Sequence, residues 1–183
     1  MGKYQINNGR IIFDTPIKLV ISSPIDRFVS ELANTILRKG KLDLCGENLS
    51  VDEIIVHQEP EITGMVKIRT MTPIVAYSTL LTTDKKKKTY YYNPIEPEFS
   101  EILDKNLKKK YEAFYGEKPS KTKKLDIKPI SRFNERIVKY RNNVIKGYTG
   151  KFILDGDDKL LKLAYDCGLG SKNSQGFGMF DLL

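Results

Sequence analysis

The sequence predicts an α+β fold of two ferredoxin-like repeats in tandem, the first lacking its initial strand and helix. Two observations carry this. Residues 63–183 read β-α-β-β-α-β, the ferredoxin-like order, from the switching of apolar spacing between period 2 and period 3.6. Residues 1–62 read only β-β-α-β, the same unit without its opening strand and helix. The repetition is of architecture and not of sequence. The 183 residues, 40% of them apolar, suffice for one large or two small cores.

The elements follow in order. Tyr4 and Ile6 alternate, Asn7-Asn8-Gly9 signals a tight turn, and residues 11–13 and 17–21 are extended runs. Ser23 is placed to cap a helix and Pro24 suits its first position. Ile25, Phe28, Val29, Leu32, Ala33, Ile36 and Leu37 share one helical face, and Gly40 ends it. Residues 49–56 make the last strand of the first repeat. From Gly64, Met65, Lys67 and Arg69 lead an extended stretch that includes Pro73, followed by a charged loop at 84–88. Pro97 begins a long helix striped with Phe99, Ile102, Leu103, Leu107, Tyr111 and Phe114. A lysine-rich connector covers 116–124. A second hairpin runs over 125–140, turns at Asn142-Asn143 and returns over 144–154. An amphipathic helix at 157–167 carries Leu160, Leu161 and Ala164, and residues 177–182 form the final strand.

The net charge of +8 is localised. Residues 1–83 carry nine basic and nine acidic side chains, residues 84–146 eighteen and nine, and residues 147–183 four and five. A basic block in the middle third suits a polyanionic partner, and equally suits a solvated lysine-rich surface. Cys45 and Cys167 form no C-x-x-C pair, and with one histidine they make no standard zinc site, so no metal is expected. Reduced, part-buried thiols fit a cytoplasmic protein better than a disulfide does. No apolar run approaches the ~18 residues of a membrane span, and the N-terminus has no signal-peptide core.

The strongest motif is Gly168-Leu169-Gly170-Ser171-Lys172-Asn173-Ser174-Gln175-Gly176-Phe177-Gly178, between a helix and a strand. Glycines permit positive φ and close approach of a ligand, and exposed N–H groups in such a loop receive phosphate oxygens. It is neither a Walker A loop nor a dinucleotide fingerprint, because both of those open a helix and this loop leaves one. A helix C-cap followed by a plain turn accounts for the same glycines.

The segment LLKLAYDCGLGSKNSQGFGMFDLL resembles the C-terminal signature of the CRISPR repeat-processing endoribonucleases of the RAMP superfamily. Two Gly-x-Gly pairs around a short polar basic stretch close the second repeat in that family. The strand from Met65, the run TYYYNP and NLKKKYEAFYG are similar to the family's mid-region, and GKYQINNGRIIFDTPIKLVISSPIDRFVSELANTILRKGKL to its first repeat from the second strand onward. The resemblance implies tandem RRM-like RAMP repeats and a cytoplasmic antiviral-defence protein that binds CRISPR repeat RNA. It also implies processing of precursor crRNA by metal-independent 2′-OH attack, without a cofactor, with histidine as general acid or base.

The family's catalytic histidine lies in a strand-and-helix region ahead of the position matching Met1. His57, the one histidine, lies elsewhere, at the expected end of a strand, where a surface role suffices for it. The catalytic residue is therefore unassigned, and cleavage is expected to be impaired. The RNA-binding set implied is Gly168, Gly170, Ser171, Lys172, Asn173, Ser174, Gln175, Gly176 and Gly178. Arg132, Arg136, Lys139, Arg141 and Lys146 around the second hairpin's turn join it, though an exposed basic ribbon would look the same. Tyr90, Tyr91 and Tyr92 are stacking candidates, or a strand alternating between core and solvent. The alternative role is a non-catalytic RNA-binding or scaffolding subunit of a CRISPR complex. Unpaired strand edges in the first repeat would favour a homodimer.

Overall fold

The computed structural model describes residues 4–8, 10–44, 46–81, 83–120, 122–140 and 143–183. Gly9, Cys45, Arg141 and Asn142, named above, lie outside the described residues. The chain divides into two compact units, Met1–Ile55 and Val56–Leu183.

In the first unit, β1 (Tyr4–Asn7) and β2 (Arg10–Phe13) pair antiparallel, with Gln5 opposite Ile12. The run at 17–21, read as extended, joins no sheet among the described residues. Helix α1 (Asp26–Lys39) begins later than the cap signal implied. Ile25 is its N-cap, and Ser23 Oγ accepts the Ile25 N–H at 3.2 Å, closing a local turn ahead of the helix instead of capping it. Gly40 ends it as expected, at φ 61°, with its N–H on the Ile36 carbonyl. The apolar stripe is present, yet α1 buries no residue: Phe28 is 51% exposed and Leu37 63%.

β3 (Lys41–Leu44) and β4 (Glu47–Ser50) form a second hairpin where one strand at 49–56 was expected. The reason is local. Gly46, at φ 86°, donates its N–H to Asp43 Oδ1 and lets the chain fold back on itself. Residues 51–63 then have no regular structure.

The second unit starts ahead of the expected boundary after residue 62, because the segment before β5 already packs there. Ile62 is in its core, Glu59 pairs with Lys162, and Gly64 N–H donates to Asp158 Oδ1 at 2.8 Å. The elements are β5 (Met65–Thr70), β6 (Tyr77–Leu81), β7 (Lys87–Tyr91), α2 (Pro97–Tyr115), β8 (Leu125–Pro129), β9 (Asn134–Tyr140), β10 (Asn143–Thr149), β11 (Lys151–Gly156), α3 (Asp158–Cys167) and β12 (Phe180–Leu182). Four of the strands make an antiparallel sheet in the order β12-β5-β11-β8. With α2 and α3 as crossovers, this is the ferredoxin-like arrangement the sequence predicts.

Strand alternation builds the core. Ile68, Phe152, Leu154, Leu125, Ile127 and Phe180 share one face and are buried with Phe99, Leu103 and Leu107 of α2 and Leu160, Leu161 and Ala164 of α3. Phe114, expected on the α2 stripe, is exposed and meets Tyr115 edge-on instead. Two hairpins leave the sheet: β6–β7 after β5, and β9–β10 between β8 and β11. The long hairpin read over 125–154 is thus broken into four strands. The return arm breaks at Gly150, whose N–H donates to Thr70 Oγ1 and whose carbonyl accepts the Thr70 N–H. A side chain there would press on Phe133.

Candidate nucleic-acid interface

The glycine-rich loop begins where α3 ends, at Gly168 (φ 79°). Its backbone is stitched to the strand end opposite. Ser171 N–H donates to the Val75 carbonyl, Gly178 N–H to the Pro73 carbonyl and Met179 N–H to Thr72 Oγ1, each at 2.9 Å. Leu169 N–H closes the loop on the Gly178 carbonyl. These bonds delay the last strand to Phe180, past its expected start at 177. Asn173 braces the interior, its Nδ2 donating to the Leu169 and Phe177 carbonyls at 3.0 and 2.9 Å.

Three glycines are required by this packing. A Cβ on Gly170 would lie 2.5 Å from the Val75 carbonyl oxygen, one on Gly168 2.7 Å from Asn173 Nδ2, and one on Gly178 would collide with the Leu169 carbonyl. All three have positive φ. Gly176 also has positive φ (86°), but a Cβ there meets nothing. It forms the exposed tip of the loop with Ser174 and Gln175.

Lys110 of α2 is the residue that sequence reasoning missed. Its part-buried ammonium donates to the Gly168 carbonyl at 2.7 Å, the Gly170 carbonyl at 3.1 Å and Asn173 Oδ1 at 2.7 Å. Burial lowers its pKa to about 8, opposed by the neighbouring Cys167. Lys108-Lys109-Lys110 reads as a solvated basic run. The available signal is spacing: Lys110 lies three residues after buried Leu107, beside the core stripe.

Outward, the loop meets both hairpins. Lys172 takes a left-handed φ of 66° and holds its ammonium 5.6 Å from the centre of the Tyr77 ring on β6. Tyr77 packs on Tyr91 of β7, whose hydroxyl donates to the Val144 carbonyl of β10 at 2.9 Å. Beneath them Val75, Ile145 and Phe177 form a second small core. Loop, β6–β7 and β10 are therefore one continuous surface.

The other sequence candidates fall around it. Tyr90 donates to Glu96 Oε1 at 2.7 Å, which raises its pKa, and the Tyr92 hydroxyl shares a 2.8 Å hydrogen bond with Ser78. On β9–β10, alternation and register set Lys139 and Lys146 on one face and Arg136 on the other. Lys146 is paired with Glu135 at 3.3 Å, while Arg132, Arg136 and Lys139 are exposed. His57 is exposed in a segment without regular structure and not at a strand end, because the expected strand is not formed. Among the described residues, no cluster of three or more His, Cys, Asp or Glu could hold a metal ion, and no helix is long and apolar enough to cross a membrane.

The family model for CRISPR associated protein Cas6, C-terminal, matches residues 57–182. CRISPR-associated endoribonuclease Cas6 1 of Methanocaldococcus jannaschii is 34% identical over 162 residues, covering 88% of this chain and 61% of that protein. CRISPR-associated endoribonuclease Cas6 of Pyrococcus furiosus is 32% identical over 164 residues, covering 86% and 57%. A solved structure of CRISPR associated protein Cas6 superposes with a TM-score of 0.75 at 32% identity, covering 88% of this chain and 66% of that one. The chain spans about three fifths of the length of these two curated relatives.

Proposed function

The chain belongs to the Cas6 family of CRISPR-associated proteins, and from that premise we propose that it binds CRISPR repeat RNA and takes part in processing precursor crRNA in the cytoplasm. The observation that carries this reading is the surface on which the glycine-rich loop, with Lys172 over Tyr77, meets the basic β9–β10 hairpin. Lysine and arginine side chains there neutralise backbone phosphates, and the tyrosine ring is a stacking platform for an unpaired base.

The candidate residues divide by task. Lys172, Ser174, Gln175 and Gly176 at the loop's outer side face the RNA, with Arg132, Arg136, Lys139 and Lys146 as phosphate contacts on and near the hairpin, and Arg141, outside the described residues, is kept as a contact on its sequence alone. Gly168, Gly170, Gly178 and Asn173 shape the loop. Ser171 spends its backbone N–H on Val75 and offers its hydroxyl. A second copy of the chain is the proposed protein partner of the first unit, with other CRISPR subunits as the alternative.

The family chemistry is attack of a ribose 2′-OH on the adjacent phosphate, helped by positioned proton transfer worth roughly 100- to 10,000-fold. His57 is exposed in a segment without regular structure, which suits the second reading, an RNA-binding subunit that does not cut. Labelled repeat RNA, incubated in EDTA with this chain and with His57→Ala, separates the two. Binding with cutting hundreds of times slower than a cleaving relative is the expected result. Fast cutting at one site, lost in His57→Ala, makes the chain a nuclease and His57 its catalyst. Equal affinity for scrambled RNA removes the repeat-specific reading.

A further inference from the structure

We propose that Lys110 is a positioning residue for RNA binding: from inside the fold, its ammonium clasps the glycine-rich loop in its binding shape, and loss of its proton loosens the loop. The proposal rests on the reading that this loop contacts RNA.

The clasp is built of three bonds to three points that the chain separates. Gly168 and Gly170 carbonyls lie in the first Gly-x-Gly, and Asn173 Oδ1 on the far side of Lys172. Asn173 then passes the restraint on, because its Nδ2 holds Leu169 and Phe177. Lys172 sits between these fixed points in a left-handed conformation, so its placement over Tyr77 depends on both sides staying in register. A side chain on α2 that touches no solvent-facing part of the loop therefore sets where the loop's one cation points.

The chemistry requires the charged form. An ammonium has three N–H donors, and three oxygens receive them. A neutral amine has two donors and a lone pair, so one oxygen loses its donor and faces that lone pair. The titratable neighbours are few. Cys167 on α3 lies close enough to hold the proton on Lys110, and its own thiol is pushed up in pKa by burial. Asp166 acts on Cys167, and Tyr115 on α2 lies near both. The loop itself offers carbonyls and the neutral Asn173 amide.

The sign differs between loop and fold, because a loosened loop leaves Lys110 buried with fewer oxygens to receive its protons, whereas unfolding returns it to water. Lys110 titrates near pH 8, below the ordinary lysine value of 10.5. Between those limits the unfolded chain binds a proton that the folded chain has released, so this group's contribution to global stability rises with pH. A loop that loosens while the fold does not weaken is thus the signature of the clasp, and general alkaline unfolding cannot imitate it.

Hydrogen exchange of residues 168–178 in the wild-type chain, followed from pH 7 to pH 9 and corrected for intrinsic rates, reads the clasp without RNA. Protection is expected to fall roughly tenfold with a midpoint near pH 8, while the thermal midpoint does not drop. Affinity for a labelled repeat RNA reads the consequence: about threefold weaker binding across the same step, absent in Lys110→Met and in Lys110→Arg, with arginine retaining more affinity at pH 7 than methionine. Unchanged protection in the wild type overturns the clasp. A loop that loosens with RNA affinity unmoved leaves the clasp standing and overturns the loop's role in RNA binding.

Discussion

The two units carry equally regular helical patterns and put them to different use. Helix α1 has 14 residues and buries none of them, whereas α3, with 10, buries Leu160, Leu161, Leu163 and Ala164. The difference lies in what is paired beside them. In the second unit, strands distant in sequence join into four-stranded order and present one apolar face. In the first, among the described residues, the strands of both hairpins pair with their neighbours in sequence, as two two-stranded ribbons. A two-stranded ribbon is marginal alone, and a stripe without a sheet has nothing to exclude water with. Fully burying a Val, Leu, Ile or Phe is worth about 1.5–3 kcal/mol, and the second unit has a dozen such side chains at under 2% exposure among its described residues. An apolar stripe specifies a helix; a core requires long-range pairing as well.

Core truncation gives the largest expected effect. Phe99→Ala or Leu103→Ala should destabilise the second unit by about 3–5 kcal/mol, because both sites are closed and relax little. Phe28→Ala on the exposed α1 stripe should cost within about 0.5 kcal/mol. Urea titration followed by circular dichroism measures both. A large loss in Phe28→Ala would mean that α1 is covered in solution and that the contrast between the units belongs to the isolated chain only.

Within the second unit, the loop glycines sharpen the comparison at shorter range. Gly170→Val and Gly178→Val should each lower repeat-RNA affinity by about 2 kcal/mol, since the added side chain meets backbone and the positive φ is strained as well. Gly176→Ala keeps the strain but meets no atom, so its loss should stay near 1 kcal/mol. Binding isotherms on folded variants decide it. If Gly176→Ala is the worst of the three, the glycines serve ligand approach more than loop packing.

What the sequence made legible follows the same division between local and distant causes. Helices α2 and α3, and the order β-α-β-β-α-β, could be read because Pro97, Gly116 and Asp157 mark ends and the apolar period marks faces. The break at Gly150 could not, because its cause is Thr70, eighty residues away in sequence. In the first unit, the strand read over 49–56 gave way to β3–β4, where Gly46 made the nearer partner available. At the site, the glycine motif was legible from its spacing. Lys110 was hidden in a basic run, and which side of β9–β10 each cation occupies follows only from register.

The smallest effects belong to single surface cations, and they test whether RNA affinity resides in the second unit at all. Lys172→Ala should weaken repeat-RNA binding by about 1 kcal/mol and reduce the dependence of log affinity on log salt by about one phosphate contact. Lys139→Ala, exposed on β9, should do the same with a smaller loss, because no ring orients it. Lys146→Ala should lose less again, since Glu135 already neutralises much of its charge. Lys39→Ala, in the last turn of α1, should leave both affinity and salt slope unchanged. Salt titrations of the four variants against wild type rank these outcomes. Within the second unit the ordering comes from whether a ring, open solvent or a carboxylate stands beside the ammonium, and Lys39 differs from the exposed Lys139 by lying in the first unit. A slope that falls with Lys39→Ala and not with Lys172→Ala would move the phosphate contacts into the first unit, and the coreless region would then be the one that RNA orders on binding.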